Sequence, residues 1–237
     1  MKCKILILFI ISLLLNNETF SQNSKIGVNY TRTFVDKDFD PGKVYYKDSG
    51  LKISKSEFLK ISQENPKMYF EREIDEEGNV IRYIYDPGNQ NGRANGTLKD
   101  TVFKNVAFPD FKLTTIDNKK IALKNLHGKL VILRFELEAN SFRFKKQEIE
   151  ELDKKINALN NKADVEAIII FQCTEDEVRK GFNLSDSNFG LVANGRNFIF
   201  KYDIHQFPST LLIDQNGKLI ENYVYSEDII LEKHLNK

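Results

Sequence analysis

The C-terminal part of the chain alternates short apolar runs with amphipathic segments. Residues 131–135 (VILRF) predict a buried strand, and a polar loop separates this run from a predicted helix over about 142–160. A second strand is predicted at 165–171, and its residues from 167 onward are apolar on both faces, which is typical of a central parallel strand. Strands that alternate with helices in this way predict an α/β sheet.

Shorter patterns predict the remaining elements of this region. Thr174 and Glu177 form a capping box, which predicts the start of a helix. The last segment predicts a helix over about 226–235, with three inward-facing residues, Ile229, Ile230 and Leu231. Further short elements are predicted at 111–113, 120–123, 189–193, 196–202, 211–214 and 219–220.

An earlier region, residues 22–100, predicts a small separate α+β module. A capping box that begins at Ser54 predicts a short helix ending at Asn65. Two apolar runs, 68–74 and 80–85, flank a turn and predict a β-hairpin. The turn-rich stretch at 86–100 predicts a linker to the second domain, residues 101–237.

The N-terminus has the pattern of a signal peptide. Lys2 and Lys4 precede an apolar run at 5–15, and the small residues Thr19 and Ser21 suit a cleavage site. The run is shorter than the roughly 20 residues of a membrane span. We therefore predict a signal peptide at 1–21 and a periplasmic or secreted protein with no membrane span after cleavage, with an uncleaved anchor as the alternative.

Charge and cysteine content exclude several functions. Lysine and arginine number 35 against 34 acidic residues, so neither nucleic acid nor an anionic membrane surface is an expected partner. Cleavage would remove Cys3 and leave Cys173 alone, so an internal disulfide is not possible.

Three alternating aspartates resemble the start of a calcium loop but lack its other ligands. Asp36, Asp38 and Asp40 are followed by Pro41 and Lys47 at the positions where such a loop needs glycine and glutamate. We expect no metal site and no cofactor.

Several motifs resemble the thioredoxin-like redoxins, the superfamily that includes alkyl hydroperoxide reductase, thiol-specific antioxidant and thiol–disulfide interchange proteins. The similar stretches are FPDFKL at 108–113, LHGK at 126–129 before the strand at 131–135, and FPSTLLID at 207–214 before Gly217. The resemblance covers roughly 102–237. It implies a thioredoxin-like fold, with a central mixed sheet flanked by helices, and a role in cell redox homeostasis. It also implies a cis peptide bond before Pro208, the alternative being a trans proline at the start of an edge strand.

The resemblance fails at the site where the family holds its reactive cysteine, the junction between the strand at 131–135 and the following helix. One alignment places Asn140 and Arg143 at the cysteine positions, and another places Ser141 and Phe144 at the threonine and cysteine of the peroxidase pattern. We expect Asn140 or Ser141 to cap the helix instead. Catalysis by Ser141 would need a base, and none of the three histidines has a suitable context.

Two glutamates follow the strand at 131–135. Glu136 and Glu138 could form an acid–base pair. The favoured interpretation is that they pair locally with Arg134 or Arg143 on a solvated loop.

Cys173 follows a predicted central strand, so it is expected on the same edge of the sheet as the missing motif. It could be a reactive thiol near a helix N-terminus. The favoured interpretation is a small buried hydrophobic residue.

The sequence therefore predicts an exported redoxin-like protein with a degenerate active site. Its favoured function is non-catalytic binding or scaffolding of a protein or peptide, with Asn140, Ser141, Phe207 and Pro208 as candidate binding residues. The alternative is a single-cysteine thiol oxidoreductase or peroxidase that uses Cys173 with an external thiol partner.

Overall fold

A computed structural model describes residues 39–89, 106–140, 144–184 and 186–235. These residues belong to one compact unit. The predicted signal peptide at 1–21 lies outside the described residues, as does Ser141. The boundary at 100/101 stays a prediction, because residues 90–105 also lie outside them. No helix in the described ranges combines the length and apolarity that a bilayer crossing needs.

The N-terminal module is a three-stranded sheet with one helix. Its elements are β1 (Val44–Tyr46), α1 (Lys55–Glu64), β2 (Phe70–Ile74) and β3 (Val80–Tyr85). The sheet order is β1-β3-β2, and the β2–β3 hairpin is antiparallel as predicted. The predicted helix is confirmed, since the Ser54 hydroxyl accepts the backbone N–H of Glu57 at 3.2 Å.

The second region begins with a small hairpin, β4 (Lys112–Thr114) and β5 (Lys120–Ala122). The elements that follow are β6 (Leu130–Glu136), α2 (Lys146–Asn157), β7 (Val165–Phe171), α3 (Glu175–Gly181), β8 (Phe189–Val192), α4 (Arg196–Lys201), β9 (Ser209–Ile213) and β10 (Leu219–Tyr223). The sheet order is β10-β9-β6-β7-β8. Strands β6, β7 and β8 are parallel, while β9 and β10 are antiparallel to their neighbours. The predicted α/β fold with a central mixed sheet is confirmed.

Strand β6 is the centre of the core because both of its faces are buried. Leu130 and Ile132 point into one apolar cluster, together with Ile149 and Leu152 of α2. Leu133 and Phe135 point into the other, on the opposite side of the sheet. This arrangement explains the continuous apolar run in the sequence.

The C-terminal segment differs from its prediction. The expected helix over 226–235 is wrong, since two 3-10 turns occupy Ser226–Asp228 and Leu231–Lys233. Ile229 and Leu231 are buried, whereas Ile230 is 44% exposed. The Lys155 ammonium donates to the carbonyls of residues 226, 227 and 229 at 2.8–3.1 Å, so these oxygens bind a side chain of α2.

Candidate functional site

Three segments meet at one edge of the central sheet. Phe135 pairs with Ser209, and Glu136 pairs with Phe171, so the ends of β6 and β7 lie beside the start of β9. The peptide bond Phe207–Pro208 is cis and directly precedes β9. We call this edge the rim and define it as residues 137–140, 172–174 and 203–208.

Cys173 lies at the rim but in a half-buried, apolar setting. Its side chain packs beside the cluster of Ile149 and Leu152. Burial raises the pKa of the Cys173 thiol, and the nearby carboxylates of Glu177 and Glu138 raise this pKa further, while an N–H···S bond from Ala139 acts in the opposite direction. A reactive thiol needs a lowered pKa, so this environment favours the apolar interpretation.

The loop at Asn194 and Gly195 is hydrogen-bonded to the end of β7. The backbone N–H of Asn194 donates to the Cys173 carbonyl at 2.8 Å, and that of Gly195 donates to the Phe171 carbonyl at 2.7 Å. A Cβ added at Gly195 would lie 2.2 Å from the side chain of Ile170, so glycine is needed for this close approach.

The expected cap of the helix after β6 is wrong for Asn140. Helix α2 begins at Lys146, and its N-cap residue Lys145 makes no side-chain capping bond. Phe144, two residues before the helix, packs against the aromatic rings of Phe171 and Phe182, with ring centroids 5.9 and 6.1 Å apart. Asn140 is exposed on the rim, while Ser141 lies outside the described residues.

The central charged group of the site is Arg134, whose side chain is fully buried within β6. Its Nε donates to Glu136 at 2.7 Å and one terminal nitrogen donates to Glu148 at 3.0 Å. The other terminal nitrogen donates to Ser226 at 2.8 Å, with Thr210 at 3.4 Å. These bonds connect β6 with α2, β9 and the C-terminal turn. We call this set of five side chains the Arg134 network.

The pairing of Glu136 with Arg134 is confirmed, but its predicted place on a solvated loop is wrong. Glu136 is the last residue of β6 and is 2% exposed. The sequence does contain a signal for the burial of Glu136. Side chains alternate along a strand, so Glu136 lies on the same face as Leu130, Ile132 and Arg134. Since Glu136 is closed to solvent, a substrate has no direct access to it. Glu138 is exposed.

Burial raises the pKa of Glu136, and the charge of Glu148 raises it further. Arg134 and Lys145 act in the opposite direction. The net pKa of Glu136 is raised because the effect of burial outweighs the opposing charge and hydrogen bond of Arg134.

The aspartates before β1 give no support for a metal site. Asp36 and Asp38 lie outside the described residues, and the Asp40 carboxylate accepts the N–H of Gly42 at 2.8 Å as the cap of a 3-10 turn. Among the residues that the structure describes, no three metal-ligating side chains cluster.

Comparison with known proteins identifies the region that carries the rim. Residues 105–222 match the model of the AhpC/TSA family. Residues 105–222 are thus similar to the thioredoxin-like redoxins, and we call them the redoxin region. A stretch of 121 residues of the chain is 27% identical to the thiol-disulfide oxidoreductase ResA of Bacillus thuringiensis (strain Al Hakam). That match covers 49% of this chain and 66% of the relative.

Two solved structures are also similar to part of the chain. The thioredoxin domain of a thiol-disulfide oxidoreductase from Bacteroides vulgatus is 18% identical, with a TM-score of 0.46, and the match covers 57% of this chain and 100% of that one. A yeast mitochondrial 1-Cys peroxiredoxin is 16% identical, with a TM-score of 0.45, and the match covers 57% and 74% of the two chains.

Removal of the buried guanidinium should destabilise the redoxin region strongly. We expect Arg134→Met to lower the free energy of unfolding by about 3–5 kcal/mol, because it leaves buried carboxylates without a counter-charge. Urea denaturation at pH 7 measures this loss. Arg82→Met is the matched control, since it removes an exposed pair with Glu73 and should have a much smaller effect. Equal losses in the two variants would contradict the importance of the Arg134 network.

Glu136 should make stability depend on pH. Because its pKa is raised in the folded state, its stabilising contribution is complete below the ordinary glutamate value of about 4.3 and is lost as pH rises through the folded pKa. Wild type should therefore lose stability relative to Glu136→Gln as pH rises through this window. Denaturation curves at several pH values measure the difference.

Glu177→Gln provides a control of opposite sign. Hydrogen bonds from Thr174 lower the pKa of Glu177, so its contribution is present above the ordinary glutamate value and is lost as pH falls through the folded pKa. The same direction of pH dependence for both variants would contradict the prediction for Glu136.

Proposed function

We propose that this chain is an exported redoxin-fold protein that binds an extended protein or peptide segment at its rim and has no thiol catalysis. The observation that carries the proposal is the absence of any cysteine between Cys3 and Cys173. The junction of β6 and α2 therefore has no thiol that the positive end of the helix could activate.

Unused backbone groups beside the cis proline support binding. The backbone N–H and C=O groups of His205, Gln206 and Phe207 form no backbone–backbone hydrogen bond within the described residues. An extended segment could pair with such groups by strand addition. Phe207, Pro208, Asn140 and Ser141 are the proposed contacts of that segment.

The alternative function is a thiol oxidoreductase or peroxidase that uses Cys173 with an external thiol. Its support is the position of Cys173 at the end of a parallel strand of a redoxin. The raised pKa of the Cys173 thiol, which burial causes, weighs against it, and the N–H···S bond from Ala139 only partly offsets that rise. ResA is named a thiol-disulfide oxidoreductase, and this chain spans 66% of that relative's length.

Export is supported by the N-terminal sequence. The two lysines, the apolar run and the small residues before Gln22 together have the organisation of a cleaved signal. The proposed location is periplasmic or secreted.

Loss of the Phe207 ring should weaken peptide binding. We expect Phe207→Ala to reduce binding to an array of unstructured 12-residue peptides by about fivefold, which corresponds to the roughly 1 kcal/mol of a moderate contact. Leu59→Ala is the control, since it removes an exposed apolar side chain of α1 that is not part of the rim. Absence of wild-type binding, or equal binding by both variants, would remove the binding function.

Cys173 should react slowly with thiol reagents. In the chain from Gln22 onward, where it is the only cysteine, we expect an apparent pKa above the ordinary value of about 8.5 for its reaction with iodoacetamide. The same chain in denaturing urea provides the unburied reference. A lower pKa in the folded chain than in urea, or insulin reduction or peroxide turnover that Cys173→Ser abolishes, would favour the enzyme instead.

The exported protein should begin at Gln22. N-terminal sequencing of the protein recovered from the envelope or medium of a bacterial host measures this. Ser21→Arg should block cleavage because a large residue does not fit the position before the cut, whereas Ser24→Arg should not. An intact N-terminus in the wild type would contradict the cleaved signal.

A further inference from the structure

The turn of the β2–β3 hairpin, residues 75–79, packs directly onto helix α4 of the redoxin region. The Lys201 ammonium donates to the backbone carbonyl of Asp75 and to that of Asp110, each at 2.8 Å. One side chain of α4 therefore holds the hairpin turn and the segment before β4 together. Burial lowers the pKa of Lys201, while Asp75, Glu76 and Asp110 act in the opposite direction.

Further contacts fix the turn against the same helix. The Asn197 amide donates to the Gly78 carbonyl at 2.8 Å. Gly78 has a φ of +85°, and a Cβ added to it would lie 2.7 Å from the ring of Phe198. Only glycine allows this approach without displacement of the ring or the turn.

Outside the turn itself, the hairpin contacts α4 through Arg72, whose guanidinium lies 4.1 Å from the centre of the Phe200 ring. A cation over an aromatic face is attracted by the ring quadrupole. The interface thus extends from the turn into β2.

Helix α4 leads directly into the rim. The N–H of Ile204 donates to the Ile199 carbonyl at 3.0 Å, so the chain after α4 stays bound to the helix. His205 then contacts the Asp203 carboxylate at 2.6 Å. Phe207 packs against the core cluster that also contains Phe198 and Ile199.

We propose that the turn at 75–79 is a positioning clamp: it fixes α4, and through α4 it fixes the loop 202–208 that forms one side of the rim. The N-terminal module thereby sets the shape of the rim without contributing a residue to it. The effect on ligand binding rests on the proposed function, whereas the coupling between the turn and the loop does not.

Hydrogen exchange of the full chain, resolved by peptide mass spectrometry, tests the clamp without a ligand. Two variants disturb the contact between the turn at 75–79 and α4. Gly78→Ala changes the turn, and Lys201→Met changes α4. We expect both variants to exchange about tenfold faster at amides 202–207, with β6 and β7 unchanged, because local opening involves only the released segment.

Two matched variants serve as controls. Gly50→Ala also places a side chain at a positive φ in the module, but nothing lies within 4 Å of its Cβ. Lys162→Met removes an exposed lysine far from α4 in the sequence. Neither should change exchange at 202–207.

Three results would overturn the clamp: unchanged exchange at 202–207 in either test variant, faster exchange confined to the hairpin, or equal acceleration in β6 and β7. Failure of peptide binding in the wild type would remove the proposed function but leave the exchange result intact. The two proposals can therefore fail separately.

Discussion

The buried guanidinium of Arg134 is the constraint on which the arrangement around the rim depends. A charge inside a central strand requires partners, and these come from four different parts of the chain. Glu148 lies in the first turn of α2 and Ser226 in the C-terminal turn, so the network fixes both against β6.

Much of the fold could be predicted because its signals are local. The capping residues Ser54 and Thr174 mark the starts of α1 and α3. The apolar run of β7 has the character of a strand buried on both faces, and the turn glycines Gly78 and Gly217 mark the β2–β3 and β9–β10 hairpins. The resemblance of the sequence around Pro208 also predicted the cis peptide bond that the structure contains.

Other features could not be predicted because distant contacts decide them. The apolar residues 229–231 fit a helix, but Lys155 binds the carbonyls of this segment from more than 70 positions away. The start of α2 at Lys146 has no capping signal in the sequence, because its N-cap residue Lys145 makes no side-chain capping bond. In contrast, the burial of Arg134 did have a local signal, namely the alternation of side chains along β6. The predicted strand ends at 135 and so leaves Glu136 in a loop, which is why this signal was missed.

The loop at Asn194 and Gly195 has a consequence for the direction in which an incoming chain could approach. The carbonyls of Phe171 and Cys173, at the end of β7, already accept hydrogen bonds from this loop. A bound peptide could therefore not donate hydrogen bonds to them from the same direction. Among the described residues, the backbone groups of 205–207 form no such backbone hydrogen bonds. Under the proposed function, a docked segment would therefore pair on the β9 side of the sheet, beside the loop that precedes Pro208.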